Sequence, residues 1–181
     1  MMPFVLVSLV AILAFGLGRR RALGFRDQSE DVRLHSLPTY HGSYAAIRAA
    51  APGLLVAIAW IAIAPGVIDR LALESAPPGI GDSSDVELAL LLNDIKNVAG
   101  GMISPDAATD FVREAAVEYG EMYSRGLALS NAVGVLVSLI GGVLALRVIR
   151  PEFGARSKVE SILRASLMLA STFAILSRSA S

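Results

Sequence analysis

Cysteine is absent from this 181-residue chain, which excludes disulfides, thiolate catalysis and cysteine zinc sites. Histidine occurs only as His35 and His41, too few to complete a metal centre without carboxylate or thiolate help. Aromatic residues make up 6% of the chain, so its 54% hydrophobic content is carried mainly by Ala, Leu, Ile and Val. Sixteen basic and 16 acidic side chains cancel, leaving no net field to attract nucleic acid or an acidic substrate. No GxSxG, HExxH or P-loop pattern occurs, which removes the best-marked routes to nucleophilic, zinc and nucleotide chemistry. The chain is therefore expected not to be an enzyme, with no catalytic, cofactor-binding or metal-binding residue to name.

What is present is apolar sequence laid down in blocks, with a mean hydropathy of +0.60. Residues 1–18 carry no charge, and Arg19, Arg20 and Arg21 follow them. A cleaved leader has its positive charge before the apolar run, so this segment reads as an uncleaved anchor with its N-terminus outside. Residues 49–68 and 126–146 form uncharged runs of 20 and 21 residues, each sufficient for one bilayer crossing. Pro52 lies near the start of the second run, and Pro65, near its end, is expected to kink or terminate the helix. Only 13 uncharged residues separate Arg164 from Arg178, so a fourth span is expected to be partial. The fold class is thus all-α, an integral membrane protein with three firm spans, a partial fourth and an extracytoplasmic helical hairpin.

Charge segregation orients these spans. Gly18 to Arg48 holds six basic and three acidic residues, Asp69 to Arg125 four and eleven, and Arg147 to Arg164 five and two. Basic residues stay on the cytoplasmic side, which places the first and third connections inside and residues 69–125 outside. Within that outer segment, 85–99 has apolar residues at helical spacing before Gly100 and Gly101. Ser104-Pro105 then reads as a cap and first-turn proline opening a helix through Phe111, Ala115, Glu118 and Met122. Ahead of both helices, 75–84 (SAPPGIGDSS) is a turn-rich linker.

Three features compete for a functional reading. Ser130, Gly134, Ser138 and Gly142 recur every four residues in the third run, a row of small side chains along which another helix can approach closely. Asp106 with Asp110, and Glu114 with Glu118 and Glu121, share helix faces; they lack the loop of alternating ligands that calcium needs and read as a solvated face. The stretch HSLPTYHGSY collects His35, Pro38, Tyr40, His41, Gly42 and Tyr44. Asp31, Ser36 and His41 could be written as a triad, but any serine-rich loop yields such a list. Pro38 disfavours helix at Leu37, Gly42 permits a turn, and tyrosines favour the membrane interface. The stretch is expected to be an interfacial turn seating the second span.

GRRRALGF after the first apolar run, RLHSLPTYHGSYAAIRAAAP before the second, and PEFGARSKVESILRASLMLASTFAIL near the end resemble the N-terminal region of PstC. That family is the permease subunit of bacterial phosphate ABC importers, here in its long form with an N-terminal extension. The resemblance covers nearly the whole chain; HSLPxYxGxY is its most distinctive part. It implies a role in phosphate uptake across the bacterial inner membrane as a multi-pass subunit, whose N-terminus the charge pattern places on the periplasmic side. Implied partners are a second permease subunit, a cytoplasmic ATPase, a periplasmic phosphate-binding protein and the lipid bilayer; no nucleic acid is expected. By the same resemblance, residues 1–158 form the extension and 159–181 the truncated start of the transport domain. A truncated or frameshifted product, or a fragment, would then be not transport-competent alone, and no phosphate-contacting residue carries over. The alternative is a free-standing membrane scaffold or regulatory protein acting on a transporter.

Overall fold

The computed structural model describes residues 2–27, 37–74, 84–150 and 153–179, and no strand occurs among them. The described residues form five α-helices and one 3-10 turn. These are α1 (Met2–Asp27), α2 (Pro38–Glu74), α3 (Asp85–Ala99), the 3-10 turn Pro105–Ala107, α4 (Asp110–Val148) and α5 (Ala155–Ser179). Four of them, α1, α2, α4 and α5, are long and apolar enough to cross a membrane.

Helices α2 and α4 have 37 and 39 residues, so each is longer than the roughly 20 residues one crossing needs. The uncharged runs 49–68 and 126–146 lie inside them, with polar extensions at either end. Of the two outcomes expected at Pro65, termination does not occur, since α2 continues to Glu74. Its missing N–H leaves one carbonyl unpaired, a loss that apolar helices tolerate. The fourth helix is also longer than the count of uncharged residues implied. Helix α5 runs for 25 residues because Arg156, Lys158, Glu160 and Arg164 are part of it, and the terminal side chains of long cations can reach the interface from within a spanning helix.

The chain divides into two compact units, residues 1–55 with 133–181, and residues 56–132. In the first unit the core is small: Ala14, Ala45, Ala49, Ala145 and Ile149 are buried, with Val10, Phe25, Tyr44 and Leu146 packed on them. Such a core works because helix backbones come very close. A Cβ added to Gly18 would stand 2.9 Å from the His41 carbonyl oxygen, and one on Gly42 would stand 2.9 Å from that of Phe15. The same reciprocity joins α2 and α4: a Cβ on Gly53 would meet the Gly134 carbonyl at 2.9 Å, and one on Gly141 would collide with the Arg48 carbonyl. The hydrogens that occupy those positions face carbonyl oxygens, as in the Cα–H···O contacts of closely packed helices.

The second unit has a larger-residue core of Ile95, Val98, Val112, Ala115 and Ala116, flanked by Leu91, Ile103 and Phe111. It joins α3 to the opening turns of α4. Ser84 and Glu87 form a reciprocal capping box that starts α3. Gly101, at φ 71°, takes the left-handed conformation that stops it. The next start differs from expectation. Ser104 makes no side-chain cap bond, and Pro105 opens only a 3-10 turn. Thr109 caps α4 instead, its Oγ1 accepting from the Val112 N–H at 3.4 Å.

Two glycines in α1 separate the packing account from generic helix propensity. Gly16 has open space around it whereas Gly18 does not. Gly16→Ala should therefore raise stability by about 0.5–1 kcal/mol, while Gly18→Ala should lower it by about 1–3 kcal/mol. Unfolding of the detergent-solubilised protein measures both, and equal responses would refute close approach at Gly18.

Candidate functional site

The stretch from Pro38 to Tyr44 is not a turn. It forms the opening two turns of α2, with Pro38 at the first helical position, where its lack of an N–H costs nothing. His35 lies outside the described residues. Gly42 is helical, and Phe15 of α1 occupies the space a side chain there would take. His41 is fully buried, with its ring 6.0 Å from that of Phe153. Tyr44 meets Phe153 edge-on at 4.8 Å, and the Arg156 guanidinium stands 6.0 Å over the Tyr40 ring. The aromatic stretch thus binds the segment leading into α5.

Of the small-residue row on α4, Ser138 is fully buried beside Gly53, whose added Cβ would strike its Oγ. Gly142 faces α1 and α2 together, since a Cβ there would lie 3.4 Å from the Ala49 Cβ and 3.7 Å from the Ala14 Cβ. Ser130 belongs to the second unit. The Oγ atoms of Ser130 and Ser138 are buried with no hydrogen-bond partner among the described residues. The facing rows were overlooked in the sequence although the same signal marks them: Ala14, Gly18 and Ala22 on α1, and Ala45, Ala49 and Gly53 on α2, also recur every four residues.

A polar cluster in the second unit was overlooked as well. Asp69 of α2 accepts a bond from Lys96 Nζ of α3 at 2.6 Å and another from the Tyr119 hydroxyl of α4 at 3.0 Å. One carboxylate thereby ties three helices. Nearby, Trp60 lies edge-on to Tyr123 at 6.1 Å, and Gly126 leaves room for the indole that any Cβ would fill. The available signal was modest: Asp69 is the residue that ends the second uncharged run, and Lys96 is the one cation of α3. Partial burial first, and then the bond to Asp69, push the Tyr119 phenol up to about 12.

A groove of about 340 Å³ runs between α3 and α4, lined by Val98, Pro105, Ala116, Val117 and Arg113. Arg113 is engaged locally. Its Nε donates to the Pro105 carbonyl at 3.0 Å, a terminal nitrogen to the Ala108 carbonyl at 3.4 Å, and it pairs with Asp110 at 3.2 Å. It closes the 3-10 turn and so is poorly placed to hold an anion. The acidic face keeps local partners too, as with Glu121 and Arg125 at 2.7 Å. No group of three or more metal-ligating side chains occurs among the described residues.

Because the folded state raises the Tyr119 pKa, its contribution is full below pH 10 and disappears as pH rises toward 12. The wild type should lose stability across that interval more steeply than Tyr119→Phe, as pH-dependent unfolding in detergent would show. Asp69→Ala should cost about 1–2 kcal/mol at neutral pH, the loss of two partly exposed bonds to one charged acceptor. No loss would mean that α3 is held by its apolar contacts alone.

The family of phosphate ATP-binding cassette transporters matches residues 4–177 of the chain. No curated protein and no solved structure matches it significantly.

Proposed function

We propose, from the premise that the chain belongs to the phosphate ATP-binding cassette transporter family, that it is the N-terminal membrane region of a phosphate importer's permease subunit. The observation that carries this reading is the family match over 4–177, on a chain in which four helices are long and apolar enough to span a bilayer. In this reading residues 1–158 are the extension ahead of the transport domain, and the segment from Val159 opens that domain. The region's contribution is structural: it presents packed helices to the rest of the transporter and leaves phosphate recognition to other parts. The engagement of Arg113 with backbone carbonyls supports that division of labour. The partners are a second permease subunit, a cytoplasmic ATPase and a periplasmic phosphate-binding protein.

The membrane is the bacterial inner membrane, and the N-terminus is periplasmic. Support comes from the charge pattern, eleven acidic against four basic residues in Asp69–Arg125 and a basic excess in both flanking connections. In unit one, the aromatic contacts of Tyr40 and Tyr44 with Arg156 and Phe153 lie at the basic helix ends, where an interface belt belongs.

Affinity purification of the tagged chain from cells induced for phosphate uptake should bring down the second permease subunit and the ATPase. Recovery of the chain without either subunit would defeat the assignment. Topology is tested separately with Ser29→Cys and Leu90→Cys, which should react with an impermeant thiol reagent from opposite faces of the membrane. Labelling of both from one face would overturn the orientation without touching the family.

A further inference from the structure

At one end of the first unit, three helix termini carry a concentration of positive charge, and the start of α2 packs beside them. Arg19, Arg20 and Arg21 stand near the end of α1, Arg147 and Arg150 bracket the end of α4, and Arg156 and Lys158 lie in the first turn of α5; all seven are exposed. Contacts gather these termini. Arg21 Nε donates to the Ile149 carbonyl at 3.3 Å, capping α4 where its dipole is negative. Phe153, just before α5, packs on Tyr44 near the start of α2 at 4.8 Å, and Arg156 lies over Tyr40.

Basic residues outnumber acidic ones in both connections at this end, six to three in Gly18–Arg48 and five to two in Arg147–Arg164. Among the described side chains, Glu160 is the one acid there, and it pairs with Arg156 at 2.7 Å. Arg19, Arg20, Arg147, Arg150 and Lys158 make no ion pair among the described residues. Next to these cations the same helices turn apolar surface outward: Leu13 and Leu17 precede Arg19, and Leu144 and Val148 flank Arg147, each 46–65% exposed. A cationic rim directly below an aliphatic face has the layered chemistry of a phospholipid, with its anionic headgroup above water and its acyl chains alongside.

We propose that this end of the first unit is a docking surface for anionic phospholipid headgroups. The guanidinium groups match phosphodiester oxygens through paired N–H donors, and the exposed Leu and Val side chains lie against the acyl chains. Generic retention of basic loops on one side of a membrane needs only charge count; this surface adds a preference for anionic over zwitterionic lipid of the same chain length. Each cation contributes roughly fivefold to attraction for an anionic surface. The proposal does not depend on the transporter role, because it concerns the helix ends themselves.

The purified full chain in neutral detergent, titrated with phosphatidylglycerol or phosphatidylcholine and read by native mass spectrometry, tests this. Phosphatidylglycerol should bind at least about tenfold more tightly, and the variant Arg19→Gln/Arg20→Gln/Arg147→Gln/Arg150→Gln should lose roughly several hundredfold of that binding. The corresponding four-Lys variant should keep most of it. Should the Gln variant fail to fold by circular dichroism, salt decides with the native chain: binding must weaken as sodium chloride rises, and salt-independent binding overturns the proposal. Equal binding of the two lipids overturns it as well. So does displacement of phosphatidylglycerol by millimolar inorganic phosphate, which would mark the cations as a site for the free anion.

Discussion

Side chains that are almost absent allow the first unit to hold together. In an apolar solvent, helices gain little by hiding leucine from lipid, and association depends on how closely their backbones can approach. Gly18 and Gly42 let α1 and α2 touch through the carbonyls of His41 and Phe15, while Gly53 and Gly141 let α2 and α4 touch through those of Gly134 and Arg48. The remaining features follow from this approach. Alanines suffice as a core, the large aliphatic residues of α1 remain outward for lipid, and Arg21 comes within reach of the Ile149 carbonyl.

The second unit relies on other forces. Its core of Ile95, Val98 and Val112 is of the kind water drives together, and its helices have sequence-encoded stops: a capping box at Ser84 and a left-handed glycine at 101. Asp69 supplies directionality by accepting from α3 and α4 at once. Removing that carboxylate is costly because both donors then lack an acceptor.

For a phosphate transporter relative, the most informative chemical feature is where the arginines are spent. Arg113, in the one groove with an apolar floor described above, is committed to two carbonyls and Asp110. The cations of the first unit instead stand exposed around helix ends. That distribution places the exposed positive charge of the first unit at its surface, not in an enclosed anion site.

The sequence by itself determined the class of the protein: uncharged runs of 18 to 21 residues force helices, since only they satisfy backbone groups in lipid. Its segregated charges also separated the segments the structure assigns to different units. At the level of single residues, local signals in the sequence and the contacts made by distant residues do not always agree. Pro38 and Gly42 carried turn-forming signals, yet the stretch from Pro38 to Tyr44 is helical, with Phe15 packed on Gly42 and Phe153 on Tyr44. Pro65 carries a helix-ending signal, yet α2 passes through it. Asp69, Lys96 and Tyr119 have no spacing that announces them, being 27 and 50 residues from Asp69; only tertiary structure could bring them to one carboxylate. Small-residue rows lie between the two cases. Their four-residue spacing is written in the chain, but which row meets which depends on backbone approach, a property of helix pairs and not of any one helix.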